Sequence, residues 1–275
     1  MACTLRFLGA ARSVTGSRYL LDTGASKVLV DCGLFQERER RELNWEPFAV
    51  SPAELDAVIL THAHVDHCGY LPRLVRDGYR GPIYATAATA ELARIMLLDT
   101  AHIEKEDAEF KRRRHEREGR SPEREVQPLY TEEDVQRTLP LFRGVSYRAE
   151  TAVADGASAT FHEAGHILGS AMVRLSLGAG APGRVLLFSG DIGRWDKPII
   201  RDPTLFDSAD YVVMESTYGD RSHEDPADLD TLLAEAISDT ARRGGNVARQ
   251  KAGPPRQGKA TPSRAPPRGQ ARCGR

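Results

Sequence analysis

Three imidazoles and a carboxylate fall within six positions in the segment His62-Ala63-His64-Val65-Asp66-His67. Imidazole nitrogen and carboxylate oxygen are both donors that suit zinc. Leaving a buried strand, the alternating His62 and His64 can point the same way, while Asp66 and His67 reach a second point nearby. Two adjacent metal ions sharing a water are the natural occupant of such a set, and metal-assisted hydrolysis is the chemistry it would support. The competing interpretation is a chance histidine cluster at a helix start.

One segment cannot fill two coordination shells. His166, in Ala164-Gly165-His166-Ile167-Leu168-Gly169-Ser170, and Asp191, in Phe188-Ser189-Gly190-Asp191-Ile192-Gly193, each follow an apolar strand and have glycine neighbours. Polar residues in that position are where the sites of layered folds collect. Singly, each could instead satisfy local backbone donors; with the histidine cluster they form a far more specific pattern. His162, four positions before His166 on the predicted strand, is turned to the same face and could approach the site. His102 and His115 fall in a charged helical run and are expected to face solvent. The role of His223, after Gly219-Asp220-Arg221-Ser222, is open.

The elements that must position these residues are short. Leu5–Leu8, Tyr19–Leu21 and Lys27–Val30 predict strands separated by glycine-bearing turns. Ala57-Val58-Ile59-Leu60 is a continuous apolar run, as expected of a strand buried on both faces, and it leads straight into Thr61-His62. Leu71 and Leu74 start a short helix that anchors the histidine loop. A strand at Ile83–Ala85 precedes a helix from Thr89 to about Arg114, with Leu92, Ile95, Met96 and Asp99 at helical spacing. From Glu104 to Glu118 the sequence is almost wholly charged, a solvated face with mixed-sign pairs. Its Lys111-Arg112-Arg113-Arg114 cluster is weak evidence for phosphate contact. Thr131 with Asp134 three positions on predicts a capped helix reaching Phe142. Strands follow at Ala159–Phe161, Ala171–Leu177, Val185–Phe188 and Tyr211–Met214, then a helix from about Pro226 to Arg242. Interleaved strands and helices are the pattern of a layered α/β protein.

Composition narrows the class. Charged residues make up 28% and hydrophobic residues 40%, as in ordinary globular chains, and no apolar run is long enough for a bilayer span. With no basic start or apolar stretch resembling a leader, a cytoplasmic location is expected. The four cysteines Cys3, Cys32, Cys68 and Cys273 form no C-x-x-C pair, which argues against a disulfide framework or a thiolate site. Cys32 and Cys68, beside Asp31 and His67, are expected to be packing residues. Residues 248–275 hold eight Lys or Arg and no Asp or Glu, so the preceding 247 residues carry −9 of the overall −1 balance. Any basic groove for nucleic acid must therefore be local. That last segment has five prolines, four glycines and no large apolar residue, and is expected to be disordered. It is either a basic arm for RNA or the product of a shifted reading frame.

With those residues in view, the sequence resembles the metallo-β-lactamase fold superfamily from about Leu5 to Val247, and within it the RNA-processing nucleases that carry an inserted β-CASP domain. Phe7-Leu8-Gly9-Ala10-Ala11 with Val14-Thr15-Gly16-Ser17 resembles the family's opening loop, and Asp31-Cys32-Gly33 its first motif. The branch assignment rests on Ala164-Gly165-His166 with Gly169-Ser170-Ala171, and on Glu215-Ser216-Thr217-Tyr218-Gly219. The resemblance implies a four-layered αββα fold, with the metallo-β-lactamase domain over residues 1–207 and the start of the β-CASP insertion over 208–247. It implies one Zn2+ held by His62, His64 and His166 and a second by Asp66 and His67, with Asp191 bridging. A two-zinc-activated hydroxide would then attack the phosphorus of an RNA phosphodiester. Asp66, Asp31 and Glu215 are the implied catalytic residues: Asp31 orients a ligand from behind, and Glu215 supports a proton donor or is instead a surface carboxylate. A homodimer and an RNA substrate are the implied partners.

The chain departs from that pattern in carrying no histidine after His223, where the family supplies a final ligand and a leaving-group assistant. The expectation is a truncated or frame-shifted copy with weakened second-metal occupancy and little nuclease activity. Two alternatives stand beside it: a thioester or lactam hydrolase of the same superfamily, and a non-catalytic RNA-binding or partner-binding fragment.

Overall fold

The computed structural model describes residues 3–119, 121, 125–178, 183–220 and 229–245. Two compact units divide the chain, Met1–Gly219 and Asp220–Arg275. In the first, six strands form one sheet in sequence order: β1 (Thr4–Phe7), β2 (Tyr19–Asp22), β3 (Lys27–Val30), β4 (Ala57–Ile59), β5 (Ile83–Thr86) and β6 (Phe142–Val145). The first two pairings are antiparallel and the remaining three parallel. A second sheet runs in the order β11 (Tyr211–Val213), β10 (Arg184–Phe188), β9 (Ala171–Leu177), β8 (Ala157–Glu163), β7 (Glu150–Ala154). It is antiparallel except at β10–β11.

Side-chain alternation separates two cores. Leu20, Leu29, Val58 and Leu60 face α1 (Val65–Cys68), α2 (Leu71–Arg76), α3 (Ala87–Glu118) and α4 (Glu132–Thr138), where they meet Leu71, Leu74, Ala93 and Leu97. Their strand neighbours Leu21, Val28, Val30 and Ile59 turn the other way, onto Ala159, Phe161, Val173, Leu175 and Phe188 of the second sheet. Strand β4 is wholly buried, as a parallel strand covered on both faces must be. Among the described residues this gives a helix layer and two sheets, three of the four expected layers. On the outer face of the second sheet, Met172 and Leu187 are covered by Phe206 and Ala209 of a loop segment.

The α3 helix is longer than its spacing predicts, and it buries Thr89, Ala93, Leu97 and Ala101 along one stripe. Ile95 is exposed: mostly small residues at i, i+4 let the helix lie close to the sheet, and Ile95, at another phase, turns outward. Thr131 caps α4 as predicted, with Asp134 completing the reciprocal pair. The helix stops at Thr138, however, because Pro140 follows and removes a helical donor. A single 3-10 turn (Leu139–Leu141) then leads into β6, a strand that the sequence pattern hides. Edge strand β7 is hidden in the same way, since its pattern of burial is weak.

The second unit contains α5 (Leu229–Arg242), whose Leu232, Leu233 and Ile237 are exposed. Its predicted start at Pro226, together with His223 and the whole of residues 248–275, lies outside the described residues. No helix among those described is long and apolar enough to cross a membrane.

Candidate metal centre

Five candidate residues of the first unit follow the C-terminal ends of strands. Asp31 comes after β3, His62 just after β4, His166 after β8, Asp191 after β10 and Glu215 after β11. The loops are laced together by backbone hydrogen bonds. Cys32 N–H donates to His67 O (2.7 Å), Leu34 N–H to Val65 O (3.0 Å) and Ser17 N–H to Asp66 O (2.9 Å). Gly33 must be glycine here, because a Cβ would stand 1.6 Å from the carbonyl oxygen of Asp66. Gly193 plays the same part across the site: its N–H donates to Ala164 O (2.8 Å), and a Cβ would lie 1.5 Å from Gly165 O. Ser170, buried beneath the His166 loop, accepts the N–H groups of His166 (3.1 Å) and Ile167 (3.2 Å).

Four donors converge at the centre. His64 Nδ1 is 3.1 Å from His62 Nε2 and 3.1 Å from His166 Nε2. Asp191 Oδ2 is 3.5 Å from His62 Nε2 and 3.4 Å from His166 Nε2. All four ligand atoms lie within 4.8 Å of one another. Zinc bonds of about 2.0–2.1 Å give tetrahedral edges of roughly 3.3–3.4 Å, so the four separations given above already stand near ligand spacing. Three ring nitrogens aimed at one point also oppose protonation. Burial, with His67, His166 and His62 respectively adding to it, pushes His62, His64 and His166 below the ordinary histidine value.

The tautomer of His62 follows from its neighbour. Thr61 Oγ1 has one proton, which goes to the Asp31 carboxylate (2.9 and 3.0 Å). Its contact with His62 Nδ1 (3.1 Å) is therefore accepted from Nδ1–H, leaving a lone pair on Nε2 at the centre.

A second donor set adjoins the first. His67 Nε2 is 3.2 Å from Asp191 Oδ1 and 3.9 Å from Asp66 Oδ2, so Asp191 turns one oxygen to each set. His67 Nδ1 donates to Asp31 Oδ2 at 2.8 Å. Burial pushes the His67 imidazole down, but Asp31 and Asp191 outweigh it and hold it up at about 10. Burial likewise raises Asp191, yet His62 and His67 keep it well below the carboxylate range. The pocket therefore favours positive charge beside Asp191, and the group that fits a metal among the described residues is His62, His64, His166 and Asp191, with His67 and Asp66 adjoining it. His62 and His67 form the floor, 1% and 5% exposed, and Asp191 and His166 form the mouth.

The remaining candidates are placed as follows. Glu215 accepts Ile192 N–H (2.8 Å) and Thr217 Oγ1–H (3.0 Å), which ties it to the residue after Asp191. His162, which its strand phase allowed to approach the site, does not join the cluster: β8 ends at Glu163, and the turn at Gly165 re-aims His166 while His162 stacks edge-on against Phe206. His102 is exposed as expected, whereas His115 is half-buried. Cys32 and Cys68 are buried free thiols, raised by burial. Thr61, Ser17 and Tyr19 were missed by sequence reasoning. Ser17 Oγ is 3.4 Å from His67 Nε2, and Tyr19, which hydrogen-bonds Ser17, is pushed up to about 12 by burial and by Asp31. The one signal for Thr61 was its position between a buried strand and His62.

The chain is similar to several known proteins. The family model described as Metallo-beta-lactamase superfamily matches residues 14–217. "Ribonuclease TTHA0252" of Thermus thermophilus is 41% identical over 239 residues, covering 87% of this chain and 49% of that one. "Transcription termination factor FttA" of Methanocaldococcus jannaschii is 32% identical over 246 residues (88% of this chain, 36% of that one). An "RNase J-like protein" of the same organism is 31% identical over 246 residues (88% and 50%). This chain thus spans about half or less of the length of these curated relatives. Among solved structures, a HARLDQ-motif metallo-β-lactamase mutant of Cronobacter sakazakii superposes with a TM-score of 0.46 at 18% identity, over 86% of this chain and 80% of that one.

Proposed function

The chain belongs to the metallo-β-lactamase superfamily, and on that premise we propose that its centre is that of a two-zinc hydrolase of RNA phosphodiester bonds, of the β-CASP branch, with the second ion weakly held and low activity in this chain. The observation that carries the two-metal reading is Asp191, whose Oδ2 faces His62 and His166 while Oδ1 faces His67. His62, His64, His166 and Asp191 would hold one ion, and Asp66, His67 and Asp191 the other. Three imidazoles and carboxylate oxygens, with no thiolate aimed inward, favour zinc over softer or oxygen-seeking ions. When bound, the ions would supply Lewis acidity toward phosphate oxygens and draw a nucleophile from water at neutral pH.

The protein's own residues do the positioning. Asp31 and Thr61 fix the tautomers of His67 and His62 by accepting their Nδ1 protons. Glu215 holds the Ile192 N–H and with it the start of the loop after Asp191. Under this reading Glu215 to Gly219 open an inserted β-CASP domain, following β11 of the second sheet. RNA as substrate draws support from the relatives named ribonuclease, RNase J-like protein and transcription termination factor.

The test is hydrolysis by the zinc-loaded chain of a single-stranded RNA, a thioester and a lactam side by side. RNA cleavage that falls by about 100-fold or more in Asp191→Asn is expected, as when a group that stabilises the transition state is lost. Thioester or lactam turnover without RNA cleavage would refute the substrate assignment.

A further inference from the structure

The loop after Asp191 carries features that the metal centre does not use. Its start is fixed: Ile192 is held by Glu215, and Gly193 lies against the Ala164–Gly165 backbone beside His166. Its end is fixed too, since Thr204 N–H donates to Glu163 O (2.9 Å) at the end of β8, and Asp196 N–H to Asp202 Oδ1 (2.8 Å) closes the loop on itself. Between those anchors every residue from Arg194 to Ile199 is exposed. Trp195 is 52% exposed and Ile199 95%. Asp196 and Ile199 have positive φ, 57° and 75°, which for a β-branched residue is a costly conformation. An exposed indole, an exposed aliphatic tip and backbone strain in one loop are three costs that packing among the described residues does not recover.

Charge gives the loop a partner. Arg194 and Lys197 have no ion pair among the described residues, and Arg201 reaches only Glu163, at 3.5 Å with the guanidinium largely exposed. Against a body of net charge −9 up to residue 247, this is a local cationic stretch next to the site. Cations flanking an exposed aromatic ring are what a single strand of nucleic acid meets: a π-face for an unpaired base and positive charge for its phosphates.

We propose that loop 194–201 is a platform for single-stranded RNA, with Trp195 stacking on an unpaired base and Arg194 and Lys197 meeting the adjoining phosphates. This rests on reading the centre as an RNA hydrolase and adds the demand for an unpaired segment beside the scissile bond.

The test is the affinity of the full chain, held in chelator so that RNA stays intact, for a labelled single-stranded oligoribonucleotide and for its duplex. Trp195→Ala is expected to weaken single-strand binding by roughly tenfold or more, and Trp195→Phe to restore most of it. Duplex affinity is expected to be indifferent to Trp195→Ala. Replacing Arg194 and Lys197 by Ala is expected to lower the salt slope by about 0.7 for each phosphate that is no longer neutralised. Equal single-strand affinities of parent and Trp195→Ala, or a loss that Phe does not restore, would overturn the platform. The zinc-loaded parent is assayed for cleavage in parallel. Cleavage with no effect of Trp195→Ala on binding removes the platform alone, whereas the expected binding pattern without cleavage removes the hydrolase reading and leaves the platform standing.

Discussion

Asp31 Oδ2 accepts the Nδ1–H of His67 at 2.8 Å, joining the end of one strand to a helix start 36 residues later. Asp31 reaches this position through a left-handed backbone, φ 56°, and its carboxylate also takes the Thr61 N–H at 2.8 Å. The strain at Asp31 is thus offset by hydrogen bonds that set the direction of two imidazoles at once. Asp31→Asn is expected to keep the fold while lowering affinity for the metal at His67 by about 10–100-fold. Metal titration of parent and variant, with circular dichroism as the check on folding, measures this. Unchanged affinity would show that His67 is oriented by something else.

Thr61 links the same carboxylate to His62. Thr61→Val conserves volume and deletes the hydroxyl, leaving buried Asp31 one donor short and His62 Nδ1–H without its acceptor. A loss of about 1–3 kcal/mol in the metal-free chain is expected from that unsatisfied pair. Urea unfolding reads the difference. A variant as stable as its parent would mean that the hydroxyl is dispensable.

At Gly193 the demand is steric. A methyl group there would overlap the Gly165 carbonyl, so Gly193→Ala must push the loop after Asp191 away from the His166 loop. Destabilisation of more than ~3 kcal/mol, with loss of metal at His166, is the expected outcome. Thermal unfolding with and without added zinc follows both effects. Gly144→Ala, where a Cβ would meet nothing within 4 Å, is the control.

Glu37 gives a pH dependence distant from the ligands. Its carboxylate takes the N–H groups of Val14 (2.8 Å) and Thr15 (3.1 Å) and the Thr15 hydroxyl. Burial raises Glu37, but these hydrogen bonds outweigh it and bring it below the ordinary 4.5. A depressed carboxyl contributes stability that is present above the unfolded value and lost as pH falls through the folded one. In the metal-free chain, the urea midpoint of the parent should exceed that of Glu37→Gln at about pH 6 and converge on it toward about pH 3. A gap that stays constant across that range would assign the difference to packing instead.

Much of this was legible in the residues. The cluster from His62 to His67, His166, Asp191 and Asp31 meet in space because each follows a strand end, and apolar runs such as Ala57–Leu60 announce those ends directly. Strands β6 and β7 were not legible, since one begins where a helix pattern was still running and the other lies half-exposed at a sheet edge. His162 illustrates the limit of periodicity: strand phase places it beside His166 only if the strand continues, and a positive φ at Gly165 (68°) ends it. Thr61, Ser17 and Tyr19 are common residue types whose spacing does not show what they touch, so their contacts with His62, His67 and Asp31 emerge only from the tertiary structure.

If His62, His64, His166 and Asp191 surround one metal ion, with Asp191 shared toward His67, zinc X-ray absorption of the loaded chain will show it most directly. Buried Cys32 and Cys68 lie close enough in sequence to offer the competing ligands. The expected spectrum has nitrogen and oxygen neighbours only, at about 2.0–2.1 Å, with the outer-shell scattering of at least three imidazoles. A sulfur neighbour at about 2.3 Å, or a shell without imidazole, would contradict this centre.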